Sequence, residues 1–394
     1  MVKDREKSAD ELLTYCPLPY CGVGPGQTCM SLLENVPVSI FHKTLVLPSS
    51  DRAIAKSIDV KQTIPFILRI PFLSQRLPYN YERGVASLNS YFPRMIETCD
   101  PSRTIAYFWG HPPQSLIRAA RNRGLMTVRE MINTCMGTVK AVLDNAYQRH
   151  GFKSGQDITE ESVEREREEL ALYDYIFASN PMVESSLLEA GIDASRIIAS
   201  TFGWTQSRYA IRPDVHERRP FRALFVGVDA VRKGVPELLA AWKKSGVEGE
   251  LVLAGPGEGA IEPLLKSYVG TNTVRVLSFE RDIGSLYRSA DIFVFPTLEE
   301  GGPQVTYEAA GCGLPIITTP MGAARLIENE VNGLIVEPAD VDGLADAISR
   351  LATSRELRER LGRQAAIDAQ NFTYERVGIE RAKKLSALLR DRRA

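Results

Sequence analysis

From residue 221 onward the chain alternates short apolar runs with amphipathic ones so regularly that few architectures remain open to it. FRALFVG is followed by GVPELLAAWKKSG, ELVLAG by AIEPLLKSYV, TVRVLS by DIGSLYRSA, and DIFVFP by a segment that starts at Pro303 and precedes PIITT. Apolar runs without polar alternation suit strands buried on both faces, and strands separated by helical stretches pair in parallel. The expected class is α/β, built on doubly wound parallel sheets. VNGLIVEP adds a tight Asn-Gly turn, and DVDGLADAISRLATSRELRERLGRQAAIDAQ reads as helical, with Leu344, Ala347, Ile348 and Leu351 on one face. The first half repeats the scheme less cleanly, with strands in ELLTYCPLP, KTLVLP, TIAYFWG, LMTVREM and YDYIFAS and helices in QTCMSLLENV, SLIRAARNRG and MVESSLLEAG. At 394 residues the chain exceeds one ordinary core of about 100–200 residues. Two Rossmann-like domains are expected, 1–205 and 221–372, joined by the polar linker 206–220. Residues 373–394 form a last helix that either domain can claim. Open parallel sheets bind ligands at the carboxyl ends of their strands, so two facing domains place the site in the cleft between them.

Composition removes several classes. A net charge of −1 gives no global footprint for nucleic acid. The six cysteines form no CxxC pair and have no histidines at zinc spacing, so they read as reduced thiols. MVKDREKSADELL lacks the apolar core of a signal peptide, and no run reaches the roughly 18 apolar residues of a membrane span. A cytoplasmic location is expected, and peripheral contact with the inner membrane face stays open because it needs no such run.

The chemistry-bearing residues gather at expected strand ends. Pro303 suits the first position of a helix that Gly313 closes, so Glu300 and Glu308 flank a helix N-terminus, where unpaired amides and the dipole attract anions. The N–H groups of Gly301, Gly302, Gln304 and Val305 can then face a phosphate. Glu308, four residues after Gln304, shares its helix face and can accept hydrogen bonds from a vicinal diol such as ribose, while Glu300 can accept from sugar hydroxyls. The plainer reading, acidic residues complementing a dipole, is about equally good. Gly227 ends the strand before FVGVDAVRKG, whose Arg232 and Lys233 can neutralise a departing diphosphate without a metal, against the alternative of a solvated basic loop. The glycines of LAGPGEG read as turn formers. CGVGPG, with Gly24 and Gly26, fails the dinucleotide fingerprint but can cradle a substrate with its backbone. TIAYFW delivers His111 to a loop, where a histidine is more often merely exposed than catalytic. Arg129, Glu130 and Asn133 of VREMINT suit acceptor or donor contacts, or equally internal ion pairing. Asp340 and Asp342 look like a metal-binding DxD, but before a helix they are better read as a cap, so no metal site is assigned. ESVEREREEL reads as a solvated helix face, and Arg118, Arg121 and Arg123 as solubilising charges.

As an ordered set, EGGPQVTYEA with seven residues between Glu300 and Glu308, FVGVDAVRKG, LAGPG, YRSADIFVFPTLEEG, EAAGCGLPIITT and NGLIVEPADVDGLADAI resembles retaining glycosyltransferase family 4 and its GT-B fold. The likeness is thinner in the first half, resting on EREREELALYDYIFASN, SLLEAGIDASRI and the glycine loop. It implies transfer of a sugar from a nucleotide-sugar donor, a UDP- or GDP-sugar, to a glycan or lipid-linked acceptor in surface polysaccharide or glycoconjugate biosynthesis. It further implies retention of anomeric configuration and no obligatory metal or other cofactor. By position Glu308 would hold the ribose, Glu300 the sugar and Lys233 the diphosphate, and the last helix would cross back to the first domain. Two departures stand out: Val228 occupies a position where many members have arginine, leaving Arg232 as a substitute charge, and VREMINT lacks the strand-end histidine, leaving His111 as a substitute. A nucleotide-sugar epimerase on the same fold and a silent sugar-nucleotide-binding partner subunit are the alternative readings.

Overall fold

The structure, a computed structural model, describes residues 9–22, 24–64, 80–209, 220–255, 257–268, 273–278, 280 and 282–393. Most of the expected linker lies at 210–219, outside the described residues, and only its first turn, Gln206–Tyr209, is seen as helix.

Two parallel sheets carry the fold. The first has the order β3-β2-β1-β4-β5-β6-β7, from β1 (Asp10–Tyr15), β2 (Phe41–Leu47), β3 (Ile58–Gln62), β4 (Thr104–Phe108), β5 (Met126–Met131), β6 (Tyr175–Ala178) and β7 (Ile197–Ala199). The second runs β10-β9-β8-β11-β12-β13, from β8 (Phe221–Val226), β9 (Gly249–Ala254), β10 (Val274–Leu277), β11 (Ile292–Phe295), β12 (Ile316–Thr318) and β13 (Gly333–Ile335). The helices between the strands are α1 (Gly24–Glu34), α2 (Tyr81–Thr98), α3 (Gln114–Asn122), α4 (Met136–His150), α5 (Glu160–Ala171), α6 (Pro181–Glu189) and α7 (Gln206–Tyr209) in the first half. The second half has α8 (Val235–Ser245), α9 (Glu262–Tyr268), α10 (Ile283–Arg288), α11 (Gln304–Gly311), α12 (Pro320–Ala323), α13 (Val341–Thr353), α14 (Arg355–Ala369) and α15 (Tyr374–Arg393). Every residue of β4, β5 and β11 is buried, as sheets covered on both faces require.

Strand order reverses between β1 and β4 in one sheet and between β8 and β11 in the other, and crevices at such reversals are where open α/β sheets hold ligands. The loops after β8 and β11 and those after β1 and β5 approach one another there.

Two local readings change. Pro303 is the N-cap of α11 rather than its first helical residue. The long helical stretch after Asp340 is two helices, because Ser354 ends α13 and caps α14 by accepting from the Leu357 N–H at 3.2 Å. Gly313 does close α11: at φ +81° it and Leu314 donate to the Ala310 and Ala309 carbonyls at 2.8 and 3.1 Å, the paired bonds of a left-handed helix terminus.

Two helices tie the halves together. Val139, Leu143, Ala146 and Tyr147 of α4 join the hydrophobic cluster built around β8, β9 and β11. In return, Tyr374, Val377, Ala382, Leu385 and Leu389 of α15 pack into the core beneath β1 and β4. Neighbouring residues on a strand face opposite sides, and β5 uses this to meet both helical layers: Arg129 lies 3.3 Å from Glu169 of α5, while Glu130 is paired with Arg381 of α15 and accepts from the Tyr107 hydroxyl. Burial raises the Glu130 carboxyl above its ordinary range, with Arg381 opposing.

Candidate active site

A cavity of about 320 Å³ opens between the domains. Its wall combines Gly24, Pro25 and Thr28 of the glycine loop and α1, Ile132 and Asn133 after β5, Gly227 to Asp229 with Arg232 and Lys233 after β8, and Glu300, Gly302, Gln304 and Val305 at the start of α11. Residues named from the sequence as donor-binding, charge-stabilising and acceptor-facing therefore meet in one space.

Each cation in this wall already has a carboxylate partner. Lys233 Nζ lies 2.6 Å from Glu300 Oε2, with both side chains mostly buried. Arg232 Nη2 lies 2.5 Å from Glu299 Oε2 and donates to Asn133 Oδ1 at 2.7 Å. Arg232 is thus an ion-paired bridge to the other domain rather than a free charge replacing the arginine absent at Val228, which is itself exposed in the cavity wall.

The start of α11 is fixed by close packing. A Cβ at Gly301 would collide with the Ile132 carbonyl, and one at Gly302 with the Phe202 ring, so only glycine lets this segment approach the first domain. Gly301 is buried and lies outside the cavity wall, and its carbonyl accepts from Ser179 Oγ at 3.0 Å. The Gln304 N–H, expected to face a phosphate, instead donates to the Gly302 carbonyl at 2.9 Å. The Gln304 side chain crosses the cleft, donating to Thr28 Oγ1 at 2.6 Å and accepting from the Tyr374 hydroxyl at 2.5 Å.

Glu308 lies one turn after Gln304 on α11 and outside the cavity wall. Its Oε2 accepts from Tyr287 at 3.0 Å. Burial raises its carboxyl above the ordinary range, opposed by hydrogen bonds from Tyr209 and Tyr287. A carboxylate held by two phenols is a preset acceptor for hydroxyl groups.

Three sequence candidates lie elsewhere. Arg129 is buried against Glu169 in the first domain's core, where its contribution is internal charge pairing rather than cleft contact. His111, half exposed, joins the same group, with Nδ1 3.1 Å from Glu169 Oε2. Burial pushes the Glu169 carboxyl up, but Arg129 and His111 more than offset it and leave it below its ordinary range. Gly26 is a close-packing site, since a Cβ there would lie 2.8 Å from the Pro19 carbonyl oxygen. Asp340 accepts from the N–H groups of Asp342 and Gly343 at 3.1 and 2.9 Å, which is a cap. Among the described residues no helix is long and apolar enough to cross a membrane.

Sequence reading missed Glu299, Thr134, Thr28, Tyr209, Tyr287 and Tyr374. Only Glu299 left a trace: a second glutamate directly before Glu300, at the end of a buried strand.

Residues 220–354 match the family described as glycosyl transferases group 1. Over 97 residues the chain is 35% identical to a D-inositol 3-phosphate glycosyltransferase of Saccharomonospora viridis, covering 24% of this chain and 22% of that protein. The chain aligns with less than half the length of the curated relatives it matches. The whole architecture recurs in sucrose-phosphate synthase from Thermosynechococcus elongatus, with TM-score 0.74 at 17% identity over 97% of this chain and 100% of that one. It recurs also in Anabaena Alr3699/HepE in complex with UDP and glucose, with TM-score 0.65 at 16% identity over 96% and 100%. These likenesses establish the fold, GT-B, with its two facing parallel-sheet domains.

Proposed function

We propose that this chain, whose second domain is a group 1 glycosyl transferase domain, moves a sugar from a nucleotide-sugar donor to a glycan or lipid-linked acceptor. The observation that carries the reading is the Lys233–Glu300 pair in the wall of the interdomain cavity. A lone structural ion pair would gain little from a position facing a cavity. A nucleotide sugar has a use for both members: its diphosphate takes Lys233, and its sugar hydroxyls take Glu300. The donor thus exchanges one buried pair for two charge-assisted contacts without leaving either charge unpaired. Glu308 accepts the ribose hydroxyls one helical turn away. As the diphosphate leaves, negative charge grows where Lys233 is held, and a fixed cation there favours the transition state over the ground state. The HepE complex with UDP and glucose supports a uridine donor.

Retention of configuration and independence from metal are part of the proposal, supported by the family 4 resemblance and by a charge already in place at the phosphate position. An acceptor in a surface glycan or lipid-linked pathway agrees with relatives such as a capsular polysaccharide biosynthesis glycosyltransferase. Work on the cytoplasmic side, with peripheral membrane contact to reach such an acceptor, completes the reading. The test is a thermal-shift panel of UDP-, GDP- and ADP-sugars, since a ligand at 100 times its Kd stabilises by about 2.7 kcal/mol. Binding followed by release of the nucleoside diphosphate, with product anomers read by NMR, supports the proposal. No shift with any nucleotide sugar overturns it.

A further inference from the structure

The segment carrying Glu300 is held to the first domain by a ring of four residues. Glu299 is 0% exposed. Its Oε1 accepts the Thr134 N–H at 3.0 Å and the Thr134 hydroxyl at 2.7 Å. Its Oε2 faces Arg232 at 2.5 Å, and the same Arg232 nitrogen reaches Asn133 at 2.7 Å. Two side chains of the second domain thereby grip two consecutive residues of the loop after β5. Asn133 and Arg232 also line the cavity, whereas Glu299 and Thr134 do not. The backbone reinforces the contact, with Gly301 seated against Ile132 and Ser179 bonded to the Gly301 carbonyl.

Glu299 itself has no access to a ligand, because one oxygen is hydrogen-bonded, the other is ion-paired, and the side chain is fully buried. What it does fix is register. It sets residues 132–134, on the side of the cavity opposite the nucleotide-binding domain, against Glu300, its immediate neighbour in the chain. We infer that Glu299 is a positioning residue that couples donor occupancy to the placement of the acceptor-side loop 132–134. The inference rests on the transfer reading above. A diphosphate that draws Lys233 from Glu300 changes the charge next to Glu299, and the bonds to Thr134 carry that change across the cleft.

The test is amide hydrogen exchange on the full chain with and without UDP, GDP and ADP, for wild type, Glu299→Gln and Thr134→Val. Glu299→Gln keeps an acceptor oxygen but removes the negative charge that faces Arg232; Thr134→Val keeps the Arg232 pair but removes the hydroxyl bond. In wild type, the nucleotide that binds should slow exchange at Ile132 to Thr134 by about tenfold. Both variants should bind that nucleotide with Kd within about twofold of wild type, yet show no slowing at those amides. A purely structural role would raise basal exchange and leave the nucleotide-dependent change in place. Slowing that persists in both variants, or its absence in a wild type that binds nucleotide, overturns the inference. Failure of wild type to bind UDP, GDP or ADP is a different result: it removes the transfer reading, and the inference falls with it.

Discussion

Replacing Glu308 by glutamine should stabilise the ligand-free protein and weaken its hold on nucleotide. Burial raises the Glu308 carboxyl above its ordinary range even though Tyr209 and Tyr287 donate to it. A carboxyl whose folded-state pKa is raised binds its proton more readily when folded, so its contribution to stability falls as pH rises from the unfolded value through the folded one. Glutamine has nearly the same shape and no charge, so Glu308→Gln should be the more stable protein at pH 8. The gain should vanish as pH falls below the ordinary carboxylate range, where both side chains are neutral. Nucleotide affinity runs the other way. A hydrogen bond to a charged acceptor contributes about 1.5–3 kcal/mol, so Kd should rise about ten- to a hundredfold, and more for Glu308→Ala, which leaves the diol and both phenols without their acceptor. Urea denaturation across pH 4–8 (about the range where carboxylates with raised pKa titrate), with calorimetric titration of UDP, GDP and ADP, reads both effects. A stability difference independent of pH would refute the burial argument, and equal affinities in all three proteins would remove Glu308 from the proposed ribose site.

Lys233→Met should lower turnover by about 10²–10³-fold with a smaller effect on donor affinity, because the role proposed for Lys233 is to meet the charge that develops on the leaving diphosphate; unchanged steady-state turnover returns Lys233 to a structural role. Arg381→Met strips the fully buried Glu130 of its counter-ion and should destabilise by about 3–5 kcal/mol, with much of the loss recovered when Glu130→Gln is added. Urea curves for the single and double variants check this, and equal midpoints would refute it. Transfer, or slow donor hydrolysis in its place, should persist in excess EDTA. Complete loss with recovery on Mn²⁺ would mean that Lys233 does not suffice for the diphosphate.

The parallel α/β class was legible because the apolar runs and helical periods are local properties of the chain. The same holds for the Asp340 cap and the Gly313 helix stop, each decided within a few residues. Glu300 and Lys233 could be named from the sequence since both sit at strand ends, and strand ends of parallel sheets form the ligand-binding edge. The partners of these groups were not legible. Gln304 meets Thr28 and Tyr374, Glu299 meets Thr134, and Glu130 meets Arg381 only after two sheets have folded and been set against each other. Arg129 shows the limit plainly. Its place near a strand end made cleft contact and internal pairing equally good readings, and the choice fell to α5, which presents Glu169 to that face of the sheet. Sequence period tells which way a side chain points, but the charge it meets belongs to whichever distant element packs there, and that is settled only by the tertiary arrangement.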